Sequence, residues 1–168
     1  DSLGSGFSGG QVYDIEVMGN LVYAGGSIAW GGPSGPTYLG VWNGSTWSAV
    51  GTGVNSSVFT LEARGTDLYV GGTFSTAGGI TVNNIAKWNG TAWLALGSGT
   101  SSDAGLPFVM DMGIQCNSLF AVGYFSKAGD KRSDRFARYW MDGLPAVTIN
   151  TSTTTVCSGA NVSFTATP

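Results

Sequence analysis

The chain has 168 residues, seven basic and ten acidic side chains, a net charge of −3 and no histidine. Without imidazole there is no Ser-His-Asp or Cys-His relay and no nitrogen ligand for zinc or copper, and the negative balance speaks against nucleic acid, which needs a clustered basic face. No apolar run is long enough to span a bilayer, and abundant Gly, Ser, Thr and Asn beside ordinary apolar content suits a β-rich protein with many tight turns.

Asp1-Ser2-Leu3 reads as an interior point of a longer protein, not as a signal peptide. DSLGSG at 1–6 matches SAVGTG at 48–53 and LALGSG at 94–99, so a remnant last strand of a preceding unit is expected there. A first full unit covers 12–53. VYDIEV alternates apolar and polar positions, as a half-buried strand does; Gly19-Asn20 turns the chain, and LVYAGG returns as the second strand. A loop at 27–36 follows, too rich in Gly and Pro between Gly31 and Gly35 to be helical. LGVWNGSTWSAV is then a second hairpin. Its Asn43-Gly44 predicts a type I′ turn, with positive φ at both central residues.

A second unit, 58–99, repeats the first at a shift of 46 positions without a gap. Tyr69-Val70-Gly71-Gly72 falls on Tyr23-Ala24-Gly25-Gly26, Trp88-Asn89-Gly90 on Trp42-Asn43-Gly44, and Trp93 on Trp47. A looser third unit runs over 106–143, with Gly123 in register with Gly72 and Tyr139 at the place of Trp88. Leu144-Pro145 stands where its fourth strand is due. From Pro145 the composition turns to Thr, Ser and Val without Trp, and 144–168 reads as the opening strands of a second module.

Four antiparallel strands in each of about three repeats of 46–51 residues is the unit of a β-propeller blade, so the fold class expected is all-β and propeller-like. Gly25-Gly26 and Gly71-Gly72 then mark where backbones approach closely. Trp42, Trp47, Trp88 and Trp93 read as packing residues between adjacent blades. The units resemble kelch-like, galactose-oxidase-type propeller repeats of large bacterial secreted proteins, on the residues LYVGGTF…AGG…NNIAKWNGTAW.ALGSG. The tail, PAVTI…TTTVCSGANVSFTATP, resembles the Ig-like (PKD-like) β-sandwich repeats of proteins exported by the type IX route. Such resemblance implies a secreted or cell-surface location. It also implies that Cys157 pairs with a later cysteine in its own module, which here would lie beyond Pro168. The copper chemistry of galactose-oxidase-like enzymes is not implied, since its histidines are absent. Closed propellers need at least four blades. The chain is therefore read as a segment of a larger propeller; a tight ring completed by 1–6, and assembly of several chains through blade edges, are the alternatives.

No cofactor or metal is expected. Asp14, Glu16, Glu62 and Asp111 lie on first strands, but Glu16 recurs as Glu62, which points to a structural role over the facing pair a glycosidase needs. Asp103, Asp130 and Asp134 match no known calcium loop. Lys127, Lys131, Arg132, Arg135 and Arg138 are interleaved with acids and read as a solvated loop or edge. Cys116 and Cys157 show no recognisable pairing pattern, so a disulfide between them is the less favoured alternative, and Cys116 is read as a packed or partly buried hairpin residue. Sequons begin at Asn43, Asn55, Asn89, Asn150 and Asn161. Trp30 and Tyr38 have no aromatic equivalents in the later units, and are the candidate ligand contacts; the competing reading packs Trp30 on its own blade. The expected function is non-enzymatic adhesion or ligand binding, to a glycan or a surface protein. A self-associating fibre subunit and a carbohydrate-active enzyme are the alternatives.

Overall fold

The computed structural model describes residues 4, 6–7, 9–28, 38–141, 146–148 and 161–163, without side-chain detail in the last two segments. The fold is all-β, built from small antiparallel sheets. The first sheet is a meander of β1 (Val12–Met18), β2 (Leu21–Gly26), β3 (Leu39–Trp42) and β4 (Trp47–Ala49). The second repeats it with β5 (Val58–Arg64), β6 (Asp67–Gly72), β9 (Ile85–Trp88) and β10 (Trp93–Ala95). A third has β12 (Phe108–Gln115), β13 (Ser118–Tyr124) and β16 (Phe136–Trp140), and no fourth strand among the described residues.

Sequence reading did not anticipate two small hairpins between the second and third strands, β7 (Thr76–Ala77) with β8 (Ile80–Thr81) and β14 (Lys127–Ala128) with β15 (Lys131–Arg132). Each is clasped by the segment arriving from the preceding unit. Val54 bridges Ala77, and β11 (Thr100–Ser101) pairs with β14. In the tail, β17 (Ala146–Thr148) and β18 (Asn161–Ser163) pair in parallel; its other expected strand residues lie outside the described residues.

The first strands β1, β5 and β12 pack side by side, and all three carry a bulge at the same place. Val12 pairs with Gly26 and Asp14 with Gly25, leaving Tyr13 as the extra residue; Phe59 and Met110 are its counterparts. A bulge reverses the alternation of faces beyond it. Val58 and Leu61, three apart, therefore both point at the preceding sheet, where they are fully buried. Burying two such side chains stabilises by about 1.5–3 kcal/mol each.

Glycine pairs face this contact for two separate reasons. A Cβ on Gly25 would lie 2.4 Å from Val58 Cγ1, and one on Gly71 2.7 Å from Val109 Cγ1, so the first glycine seats the valine of the next unit. A Cβ on Gly26, Gly72 or Gly123 would lie 2.0–2.1 Å from the carbonyl oxygen of Gln11, Ser57 or Phe108 in the neighbouring strand. In the first two units that carbonyl is fixed by N–H donation from Ser27 and Thr73, at 3.0 Å each.

Hairpin corners correct two expectations. Asn43 and Asn89 are not at positive φ, although Gly44 and Gly90 are. Their side-chain oxygens instead accept from the backbone N–H two and three residues on, Ser45 and Thr46 or Thr91 and Ala92, at 2.8–3.0 Å. The loop is a four-residue turn closed by the Asn side chain, not a two-residue type I′ turn. Cys116 takes, at φ 56°, the corner that Gly19 and Gly65 hold in the other units. It is exposed, not packed or partly buried, and it is disulfide-bonded, the outcome the sequence made the less favoured one. Cys157 lies outside the described residues.

Gly4 is placed against the first unit. A Cβ there would stand 3.1 Å from the Trp42 ring, much as one on Gly51 would stand 2.9 Å from Trp88. The segment thus meets the first unit as the end of one unit meets the next, while 1–3 and 5 lie outside the described residues.

Because the seat at Gly71 is bounded by Val109 and Thr60 side chains at 2.7 and 2.8 Å, Gly71→Ala is expected to destabilise the chain by about 1–3 kcal/mol through overpacking. Urea unfolding measures it; an unchanged midpoint would mean the two sheets do not meet there.

Candidate functional site

Of the two candidate ligand contacts, Trp30 lies outside the described residues. Tyr38 is half-buried against the core, and its carbonyl accepts from the Gly26 N–H at 3.0 Å. Its ring packs partly on the core and stays partly open to solvent. The recurrent tryptophans are paired: Trp42 with Trp47 at 5.6 Å between ring centroids, and Trp88 with Trp93 at 5.5 Å, both tilted. Trp93 donates its indole N–H to the Val50 carbonyl of the preceding unit at 3.2 Å. Tyr139, at the place of Trp88, donates to the Gly99 carbonyl at 3.3 Å, and burial pushes its phenol up to about 12.

The carboxylates of the first strands face a shared space. Asp14 accepts from its neighbour Ile15 N–H at 2.8 Å and, across the unit boundary, from Leu61 N–H at 2.7 Å. Asp111 accepts from Met112 N–H at 2.9 Å. Glu62 is raised above its ordinary value by burial first, then by the negative charges of Glu16, Asp14 and Asp111. Burial likewise raises Glu16, with Asp14 adding to it. Of the acids considered for calcium, Asp103 and Asp134 line one cleft, but each meets a cation: Lys127 and Ser126 hold Asp103 below the usual range, and Asp134 lies 3.6 Å from Arg132. Among the described residues no set of three or more Cys, Asp or Glu side chains is placed to hold a metal, and no helix is long and apolar enough to cross a membrane.

What the structure does bring together is a strip of aromatic rings across all three units. Tyr13 meets Phe59 edge-on at 5.5 Å, Phe59 meets Phe108 edge-on at 5.9 Å, and Phe108 stacks on Tyr124 at 6.1 Å and 22°. The bulges produce the first half of it, since the extra residue of each bulged strand is turned out of the ladder. Phe108 and Tyr124 are cross-strand partners, and Tyr124 is fixed by donating its hydroxyl to the Ala104 carbonyl at 2.6 Å.

Two clefts flank the Phe108–Tyr124 stack. One, of about 580 Å³, is lined by Phe108, Leu106 and Pro107 on one side and by Ser56, Thr73, Ser75 and Asn83 on the other. Tyr124, Ser126, Arg132, Asp134 and Arg135 line the second, of about 460 Å³, and Ser102 is shared by both. Aromatic walls opposite short hydroxyl and amide side chains, with charge confined to one end, form a groove suited to a ligand that is itself half apolar and half hydroxylated.

Sequence reasoning missed this strip, although a signal was present. Phe108 and Tyr124 have no aromatic equivalents: Gln11 and Ser57, and Ser27 and Thr73, hold their places in the other units. Comparison with protein-family models and with characterised proteins finds no match to this chain.

A carboxyl whose folded value is raised contributes stability that is fully present below the unfolded value and is lost as pH rises through the folded one. For Glu62 the loss begins at its ordinary value of 4.5. Glu62→Gln, which cannot ionise, is therefore expected to melt above the wild type at pH 7, with the gap closing below pH 4.5. Thermal melts at several pH values check this; a gap independent of pH would remove the buried charge as its cause.

Proposed function

We propose that this chain is a non-enzymatic, ligand-binding segment of a secreted, modular surface protein, and that its ligand is a polysaccharide laid along the aromatic strip. The scaffold in this reading is a run of propeller-like blades, followed by the start of an Ig-like module. Consecutive four-stranded meanders that pack first strand to first strand support the blade reading. Kelch-like repeats and exported Ig-like tails, which the sequence resembles, support the location.

One observation carries the ligand class: four aromatic rings in a continuous line, each within about 6 Å of the next, beside a cleft rich in Ser, Thr and Asn. A pyranose ring has an apolar C–H face and a rim of hydroxyls. The rings offer a flat apolar surface to the first, and the hydroxyl and amide groups can pair with the second. The central carboxylates do not support hydrolysis as readily. Asp14 and Asp111 already accept backbone N–H groups, and Glu62 is half-buried.

Affinity electrophoresis against a panel of polysaccharides, backed by a glycan array, tests this. Phe108→Ala and Tyr124→Ala are each expected to weaken binding by about 1 kcal/mol, or roughly fivefold. Leu94→Ala, an exposed change away from the strip, should leave it unaltered. Retardation unchanged by loss of either ring, or no retention on any polysaccharide, would overturn the assignment.

A further inference from the structure

The two outer faces of the three-unit stack are unequal. On the first unit Val12, Ile15 and Val17 are 43, 59 and 61 % exposed. One repeat later the same positions are Val58 and Leu61, 0 and 2 % exposed, and the half-buried Ala63. Two repeats later Val109 and Met112 are again buried, in a second interface of the same design. In both interfaces the valine lies over the first glycine of the preceding pair, Gly25 or Gly71. The first unit therefore carries the complete set of knobs used twice inside the chain.

On the third unit, Phe120, Phe136 and Arg138 stand where Tyr69, Ile85 and Lys87 face the next unit in the second. Two large apolar side chains and one cation recur on that face, and Phe136 is 55 % exposed. One position changes in kind. Val122 pairs with Asp111 as Gly71 pairs with Thr60, so an isopropyl group fills the seat that a valine knob needs. A single Cβ at the two occupied seats would already approach the knob to 2.4 or 2.7 Å.

We propose that the outer face of the first unit is a docking surface for a further four-stranded unit of the same repeat, one with glycine at the place of Gly25, and that Val122 bars the third unit of a second copy from serving as that partner. The open stack is thereby stopped from growing head to tail, the hazard of any face that meets a different face without closing a ring. This inference rests on the contacts between units and is independent of the polysaccharide reading.

Sedimentation velocity over a wide concentration range tests it. The wild type is expected to stay monomeric. Val122→Gly should associate in a concentration-dependent way, and Val122→Ala should not, because the clash begins at Cβ. Adding Ile15→Glu to Val122→Gly should restore the monomer. A second variant guards against poor folding of the glycine mutant: a chain with 12–57 duplicated in tandem, whose inserted copy presents its Gly25 to the original Val12. It should melt above the wild type, and Gly25→Val in the inserted copy should abolish the gain. Wild-type association that depends on Ile15, a monomeric Val122→Gly, or a duplicated chain with no gain in melting temperature would each overturn the proposal.

Discussion

Val58 lying over Gly25, and Val109 over Gly71, set the distance between one unit and the next. Much else in the chain follows from that approach. Two residues three positions apart, such as Val58 and Leu61, can reach the same neighbour only if one residue between them is removed from the ladder. The bulge does this at Phe59, and the same offset recurs at Tyr13 and Met110. The second glycine of each pair then becomes obligatory, because the strand beside it carries a carbonyl where its Cβ would be. The residue expelled by the bulge has nowhere to pack inside the sheet. In two units it is aromatic, so the interface that holds the units together also lays out the beginning of the aromatic strip.

The far side of each interface is held differently. There the tryptophan pair receives the segment arriving from the preceding unit, with Gly51 against Trp88 and the Trp93 indole bonded to the Val50 carbonyl. The inner edge thus relies on steric fit and the outer edge on aromatic area with one directed hydrogen bond. Between them, burial and then mutual repulsion of the first-strand carboxylates raise Glu16 and Glu62 above their ordinary values. Asp14 also satisfies the Leu61 N–H that the bulge leaves outside the ladder.

Much of this was legible in the amino-acid sequence, and the failures have physical causes. Alternation in VYDIEV and the matched Gly-Gly and Trp positions located the strands of the first two units. Alternation is also what hid the bulges: VYDIEV reads equally well as a regular strand, and only the pairing of Val12 with Gly26 and Asp14 with Gly25 reveals the extra residue. Asn43-Gly44 was misread because a two-residue turn and a side-chain-closed turn share the same dipeptide. The idea that function sits where the copies disagree pointed to Trp30 and Tyr38 in the first unit. Applied to the third unit, it finds Phe108 and Tyr124, where the other copies have Gln, Ser and Thr. That unit reads from sequence only as a looser copy of the other two.

Contacts between units also bear on whether the three units could close on themselves. For the three units to close on themselves through the interface they already use, Val12 would have to enter the third unit's second strand at the place of Gly71. Val122 occupies that place. Gly4 makes the contact expected of the end of any unit. It lies against Trp42 of the first unit, in the position that Gly51 takes against Trp88. A closed ring of these three units alone would need a different interface from the one that already appears twice.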